Sequence, residues 1–162
     1  MEHVRSRRGA GVVAASMLLV ALAAGWMLAE RARAQQEIHI VWPISSITSE
    51  FIDHGNDGLR LGDRLAARGP LVDVGQTEQM GYAYLDCVVM RYITDAPSGL
   101  YRCSYVLDLA PGQLVLDGMD PRGPGVYEIS VLGGSGGYAG ASGDATFTDS
   151  ATGTDMVISL IS

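Results

Sequence analysis

The chain of 162 residues has the length of a single domain, and 48% of its residues are hydrophobic. Its formal charge of −7 argues against a nucleic-acid partner, because binding a phosphate backbone relies on cationic charge. Only 18% of the residues are charged, so the chain is not a disordered one either. Two cysteines and three histidines are too few for a structural zinc cluster, and we expect no metal site and no cofactor.

The first 34 residues have the pattern of a secretory signal. Three arginines lie among the first eight residues, an uncharged apolar stretch follows, and segment 32–34 reads Ala-Arg-Ala, a small-x-small cleavage site. The alternative is an uncleaved membrane anchor formed by residues 10–29, because about 20 apolar residues just span a bilayer. Both interpretations place residues 35–162 outside the cytoplasm, secreted or membrane-anchored. That portion has 6 basic and 16 acidic residues and should repel anionic membranes and nucleic acid.

The sequence after residue 37 predicts an all-β protein. Short apolar runs alternate with turn signals at a spacing of roughly 8–12 residues, which is typical of a barrel or a sandwich. The predicted strands are Ile38–Ile44, Gly62 to about Ala67, Tyr82–Tyr92, Leu100–Leu109, Gln113–Leu116, Val126–Leu132, Ala145–Thr148 and Met156–Ile161. Gly69-Pro70 is predicted to end the second strand, and most of 51–61 and all of 117–125 are predicted loops. About eight strands can close an antiparallel barrel whose interior holds side chains or one small ligand, with a flat sandwich as the alternative.

Cys87 and Cys103 lie on two of these strands, on either side of a predicted turn at 95–99. In an antiparallel hairpin the two positions are opposite or diagonally adjacent, and outside the cytoplasm such a pair usually oxidises to a disulfide. The alternative is a reactive thiol facing a pocket, which would need a nearby cation or base. Arg91 and Arg102 are near in sequence, but strand alternation sends Arg102 to the face opposite Cys103.

Strand alternation also predicts which side chains line the barrel interior, if the two cysteines point inward. Five residues on the two cysteine-bearing strands are then candidates for contacting a ligand: Tyr101, Tyr105, Leu85, Val89 and Leu107. A phenol provides apolar area and a hydrogen-bonding tip, so these strands suit a small apolar or aromatic molecule. The alternative is an ordinary barrel core in which the tyrosine hydroxyls are satisfied.

Catalytic side chains are not evident. His39 and Trp42 lie on opposite faces of the first strand, so only one of them can point inward, and His54 lies in a turn that is expected to be solvated. A hydrolytic triad motif is absent from the sequence. Asp86 and Asp108 are candidate acids, but alternation places them on the faces opposite the cysteines. We therefore assign no catalytic residue.

A glycine-rich segment at 133–143, between two predicted strands, resembles the Gly-Gly-Ser/Thr-Gly-x-aromatic loop of the allene oxide cyclase and dirigent barrels. Two other landmarks occur in the same order: Gly62-Asp63 resembles the opening of the second strand, and 112–118 resembles the strand before the loop. The resemblance covers about 37–161, and bacterial relatives carry two cysteines at the same hairpin. It implies an eight-stranded barrel with an apolar interior, which in the plant relatives guides a reactive intermediate to one stereochemical product.

The departures from these families are specific. The cyclases use a glutamate and an asparagine on the first strand, and 39–44 contains neither. The pocket cysteine of the cyclases matches Cys87, but here Cys103 is available to take it into a disulfide. Dirigent proteins carry an arginine in or just after the glycine-rich loop, where 138–142 has none. Neither named activity therefore transfers. A strand follows the loop and the chain has no lysine, so its glycines are predicted to be structural and not a phosphate cradle; they are Gly133, Gly134, Gly136, Gly140 and Gly143.

Three functions remain open from the sequence. The first is an extracytoplasmic barrel that binds a small apolar or aromatic molecule, the second is an isomerase or cyclase, and the third is a structural module of the cell envelope with no ligand. A membrane is expected to be contacted only through 10–29, if that segment is uncleaved, and a homo-oligomer is left open.

Overall fold

A computed structural model describes residues 35–55, 59–92 and 99–161. The predicted signal or anchor segment lies outside these residues, as does most of the predicted turn at 95–99. The described part is all-β, and none of its helices is long and apolar enough to cross a bilayer. Its strands are β1 (Gln35–Pro43), β2 (Thr48–Ile52), β3 (Arg64–Val72), β4 (Gln79–Tyr92), β5 (Gly99–Leu109), β6 (Gly112–Asp120), β7 (Gly125–Gly134), β8 (Ser142–Asp149) and β9 (Gly153–Ile161). Single turns of 3-10 helix occupy Ile44–Ser46 and Gly136–Tyr138.

Eight of the strands close into an antiparallel barrel. From β3 to β9 each strand pairs with the next, β9 pairs with β1, and β1 meets β3 at Val41 and Val72. Strand β2 pairs with β3 and lies outside the ring. The predicted closed barrel is confirmed, and the sandwich interpretation is wrong.

The interior follows from strand alternation. On β5 the side chains of Tyr101, Cys103, Tyr105 and Leu107 are buried, and the residues between them are more exposed. The same alternation on the other strands fills the interior with aliphatic and aromatic side chains. Its largest fully buried apolar members are Phe147, Ile40, Leu71, Leu107, Leu114, Leu116, Ile129, Met156, Ile158 and Val89. Each such side chain contributes about 1.5–3 kcal/mol relative to exposure in water, so these contacts supply the main favourable term in folding.

The prediction that Gly69-Pro70 ends the second strand is wrong. Strand β3 continues to Val72, and Pro70 pairs with Tyr82 on β4. At its other edge, β3 pairs with β2 as far as Arg68 and with β1 at Val72. Pro70 therefore lies between these two neighbouring strands. A proline is tolerated where a second neighbouring strand does not use its missing N–H.

Segment 51–61 was expected to be mostly loop, but it begins inside a strand. Phe51 and Ile52 end β2, which the sequence prediction missed because this short strand is exposed along its whole length. The loop that follows is held by Asp63, whose buried carboxylate accepts hydrogen bonds from the backbone amides of His54 (3.0 Å) and Arg60 (2.6 Å).

The predicted loop at 117–125 is also wrong in its first half, because β6 runs on to Asp120. Gly118 pairs with Cys103, as the resemblance of 112–118 to a strand implies, and a Cβ atom there would lie 3.2 Å from the side chain of Ile129. Glycine therefore permits close packing inside the strand. In the described residues, the pairing of β6 with β7 stops at Asp117 and Ser130. The two strands therefore separate before they reach the loop that joins them.

The glycine-rich segment closes the opposite end of the barrel, where β7 passes into β8. Gly136 and Gly140 have φ angles of +60° and +77°, which other residues rarely adopt. Tyr138 lies between them in sequence and belongs to the buried core.

The predicted disulfide is confirmed. Cys87 and Cys103 are directly opposed on β4 and β5, their Cα atoms are 4.1 Å apart, and both side chains are buried inside the barrel. The alternative of a free reactive thiol is wrong, because both cysteines of the chain are in this bond.

Replacing both cysteines by alanine should lower the free energy of unfolding by about 3 kcal/mol, because the bond removes loop-closure entropy from the unfolded chain. The measurement is urea unfolding under non-reducing conditions. A reductant should lower the stability of the wild type by a similar amount and leave the double variant unchanged. Equal stability of the wild type and the double variant would contradict this account.

Candidate functional site

A cavity of about 470 Å³ opens at the end of the barrel opposite the glycine-rich loop. It lies where β1, β6 and β8 end and where β7 and β9 begin, and a residue of β2 borders it. Its walls combine apolar and polar side chains. They include Trp42, Leu85, Tyr105, Tyr127, Asp120, Arg122 and Asp149. Pockets for small organic ligands commonly have volumes of about 300–1,000 Å³.

Asp120 is a buried carboxylate in this wall, with 2% of its surface exposed. It continues the inward-facing series of β6, which includes Leu114 and Leu116. One carboxylate oxygen accepts a hydrogen bond from the backbone amide of Arg122 at 2.7 Å, and the other lies 3.4 Å from the hydroxyl of Tyr105. A buried charge needs such partners, and Asp120 has them.

Arg122 brings a positive charge back over the open end. Its guanidinium carbon lies 5.2 Å from the ring centroid of Tyr101, and its Nε is 3.5 Å from an oxygen of Asp120. A terminal nitrogen also donates to Sγ of Cys87 at 3.6 Å. Aromatic ring, carboxylate and disulfide thus surround the guanidinium, and its charge is compensated by Asp120.

Further polar groups of the cavity wall extend from Tyr105 on β5 to β7, β8 and β9. The hydroxyl of Tyr127 interacts electrostatically with the hydroxyl of Tyr105 and with the carboxyl of Asp149. Asp149 also accepts a hydrogen bond of 2.6 Å from the hydroxyl of Thr154. The ring of Phe147 holds both tyrosines, with centroid distances of 5.0 Å to Tyr105 and 5.4 Å to Tyr127. The result is a string of polar groups from Asp120 to Asp149 along an aromatic wall.

Burial favours the protonated forms of Tyr105, Tyr127 and Asp149. It raises the pKa of Tyr105 and of Tyr127, so both phenols stay neutral and can donate hydrogen bonds. Burial also raises the pKa of the half-buried Asp149 carboxyl, with a smaller contribution from the charge of Asp120. Asp149 therefore keeps its proton to a higher pH than an exposed aspartate does.

Two buried donors in the cavity wall have no hydrogen-bond acceptor within the described part of the chain. They are Nε1 of Trp42 and Nε of Arg122. Trp42 is packed closely against β3, because a Cβ atom on Gly69 would lie 2.6 Å from the same indole nitrogen. Buried donors are normally satisfied by protein, water or a ligand.

Asp120 also lies near the two cysteines, in a group that could be mistaken for a metal site. Sγ of Cys103 is 3.8 Å from an oxygen of Asp120, and Cys87 completes the group. The two sulfur atoms are bonded to each other, so neither provides the thiolate that a metal would need.

Comparison with known proteins gives a consistent result at the level of structure. No protein-family model matches the chain, and neither does any curated protein sequence. A solved pyocyanin demethylase superposes with a TM-score of 0.64 and 20% identity, covering 77% of this chain and 99% of its own. The exo-specific intermolecular Diels-Alderase AbnU superposes with a TM-score of 0.56 and 20% identity, covering 78% of this chain and 98% of its own. The pterocarpan synthase dirigent protein GePTS1 superposes with a TM-score of 0.55 and 16% identity, covering 79% of this chain and 91% of its own.

The chain has the allene oxide cyclase/dirigent barrel fold. The resemblance read from the glycine-rich loop is therefore confirmed for the fold. With identities of 20% or less in these three superpositions, the likeness does not by itself extend to an activity.

The barrel places the sequence-predicted interior residues in different surroundings. Leu85 and Tyr105 line the cavity, and Tyr101 borders a shallower depression that it shares with Arg122. Val89 and Leu107 are fully buried in the core and are not among the cavity-lining residues.

The other candidates lie mostly on the outside of the barrel. Of the first-strand pair, Trp42 is the residue that points inward, and His39 is exposed with its Nε2 2.6 Å from an oxygen of Asp155. Asp86 and Asp108 are exposed, as alternation predicted, and Asp86 pairs with Arg64. His54 is exposed as well. None of these four polar side chains is among the residues that line the cavity.

Sequence reasoning missed Asp120, Arg122 and Asp149. Continuing the alternation of β6 from Leu114 by three further steps would have placed Asp120 inside, had the segment not been interpreted as a loop. No sequence signal marks Arg122, because its position depends on a turn that bends back over the barrel.

Replacing Asp149 by asparagine should change how stability depends on pH. The raised pKa means that the native state holds this proton more tightly than the unfolded chain, so its stabilising effect is present at low pH and lost as pH rises through the native pKa. Relative to the wild type, Asp149→Asn should therefore become more stable between about pH 4 and pH 7.

The measurement is urea unfolding at both ends of this range. Asp144→Asn, which removes an exposed carboxyl from the same strand, is the matched control. Stability curves for wild type and Asp149→Asn that run parallel across the range would contradict a raised pKa.

Proposed function

We propose that the barrel binds a small apolar or aromatic molecule in the cavity at its open end. The observation that carries this proposal is a volume of about 470 Å³ in the barrel, lined by the rings of Trp42, Tyr105 and Tyr127. A core that served only stability would be packed with few voids.

The wall suits an aromatic ligand. Trp42, Tyr105 and Tyr127 contribute rings to one enclosed space, and Leu85 adds aliphatic surface. Neutral phenols can donate to a ligand oxygen while their rings contact its apolar surface. The solved barrels of this fold include a demethylase, a Diels-Alderase and a dirigent protein, and their names support a small-molecule role for a cavity of this kind.

Binding accounts for the described residues better than the two alternatives. A ligand-free structural module would not need an open interior of this size. For an isomerase or cyclase, the acids suggested by the sequence, Asp86 and Asp108, lie on the outer surface. The two acids in the cavity wall are already engaged, Asp120 by Arg122 and Asp149 by Thr154. Binding is therefore the function that these contacts support best.

The purified full chain should bind N-phenyl-1-naphthylamine, a neutral aromatic probe whose fluorescence increases in apolar surroundings. We expect one saturable site per chain. Filling the cavity with Ala67→Trp should weaken binding at least about tenfold, because the indole occupies the space that the probe needs. Ser49→Trp, on the exposed strand β2 at the cavity border, tests the same point without disturbing the core.

The matched control is Ala110→Trp, which places the same indole on the exposed β5–β6 turn and should leave probe binding unchanged. Lack of saturable binding by the wild type, or equal binding by all four proteins, would count against a ligand-binding cavity.

We also propose that the N-terminal segment carries the barrel out of the cytoplasm, since an intramolecular disulfide is typical of an oxidising compartment. When the full chain is expressed in a bacterium, N-terminal sequencing of the exported protein should begin at Gln35, or the intact chain should be found in the membrane fraction. Leu19→Arg, which interrupts the apolar stretch, should hold the chain in the cytoplasm. A wild-type chain that stays soluble, intact and cytoplasmic would contradict export.

A further inference from the structure

We propose that Arg122 is a ligand-binding residue that donates hydrogen bonds to an oxygen of the molecule in the cavity. The ligand class is an aromatic compound bearing a carbonyl, phenolate or carboxylate oxygen. This inference rests on the proposed function, and it adds the chemistry by which the site recognises its ligand.

The guanidinium has more N–H donors than it uses in contacts with the described residues. An arginine side chain carries five N–H donors. Within the described part of the chain, its one side-chain hydrogen bond goes to the sulfur of Cys87, a weak acceptor, at 3.6 Å. Nε is buried and has no hydrogen-bond acceptor, although an oxygen of Asp120 lies 3.5 Å away. With 31% of the side chain exposed, the group is partly accessible to a molecule in the cavity that it lines.

The backbone at Arg122 is held in an unusual conformation. Its φ is +45°, and Gln76 is the other described non-glycine residue with a positive φ. At Gln76 a turn explains the strain, because the carboxylate of Asp73 accepts hydrogen bonds from the backbone around it. At Arg122 the carboxylate of Asp120 likewise accepts the backbone amide, and this left-handed turn places the side chain in the wall of the cavity.

Three contacts hold the backbone and the side chain of Arg122 before a ligand arrives. The backbone amide of Arg122 donates to Asp120 at 2.7 Å, the charge pairs with the same carboxylate, and the ring of Tyr101 lies beneath the guanidinium carbon at 5.2 Å. A donor that is already held in place loses little entropy on binding. Its planar fork also suits a ligand oxygen better than a flexible ammonium would.

The charge of the site defines the class of acceptor. Asp120 compensates Arg122, so the guanidinium does not require a full negative charge on the ligand. A neutral carbonyl and an anionic oxygen therefore share the same recognition chemistry, and the experiment separates them.

The test compares three probes with the same ring and nearly the same size: 2-naphthoate, 2-acetylnaphthalene and 2-isopropylnaphthalene. Isothermal titration calorimetry on the full chain would measure their affinities for the wild type, Arg122→Gln and Arg122→Lys. The control is Arg102→Gln, because Arg102 is an exposed arginine on the outer face that pairs with Asp117. We expect Arg122→Gln to bind at least one oxygen-bearing probe about tenfold more weakly, with the isopropyl probe unchanged.

A loss confined to 2-naphthoate assigns an anionic ligand, and a loss for both oxygen-bearing probes assigns an oxygen acceptor of either charge. Arg122→Lys keeps the charge without the planar fork and should give a smaller loss, which keeps the test informative if the glutamine variant does not fold. Equal weakening of all three probes, or of none, would overturn the role of Arg122 and leave the cavity proposal intact. If the wild type binds none of the three, the proposed function itself fails.

Discussion

The closed antiparallel ladder is the constraint on which this structure depends. Once β1 meets β3, every second residue of eight strands faces one shared interior, and an inward side chain has no route to bulk water except through the barrel ends. Apolar residues at these positions stabilise the barrel by burial. A polar residue at such a position must find partners inside, which is why Asp120 is surrounded by donors.

The two ends of the barrel differ because their loops differ. At one end the glycine-rich segment turns tightly and places Tyr138 in the core. At the other end the described pairing of β6 and β7 stops short of the loop that joins them, and Arg122 and Tyr127 line the cavity there. Within the described residues, the cavity therefore lies at the end opposite the glycine-rich segment.

The site itself connects the disulfide to the polar groups. Cys87 contacts Arg122, Cys103 lies beside Asp120, and both sulfurs belong to the wall that also carries Tyr101 and Tyr105. The disulfide thus has a second role besides lowering the conformational entropy of the unfolded chain, since it forms part of the surface that the guanidinium contacts. From Tyr105 the polar groups and aromatic rings continue through Phe147 and Tyr127 to Asp149.

The sequence by itself determined the all-β class and placed Cys87 and Cys103 on facing strands, because both depend on local turn chemistry and a two-residue alternation. The preference for a closed barrel over a sandwich came from the resemblance of the glycine-rich segment. Only the tertiary structure decided that Pro70 lies within a strand, that Asp120 faces inward and that Arg122 returns over the opening. Those outcomes depend on which strand lies beside each residue and on where two strands separate, and neighbours distant in sequence leave no periodic signal. The same reason explains why the interior residues could be named as a group, whereas their division between core and cavity could not.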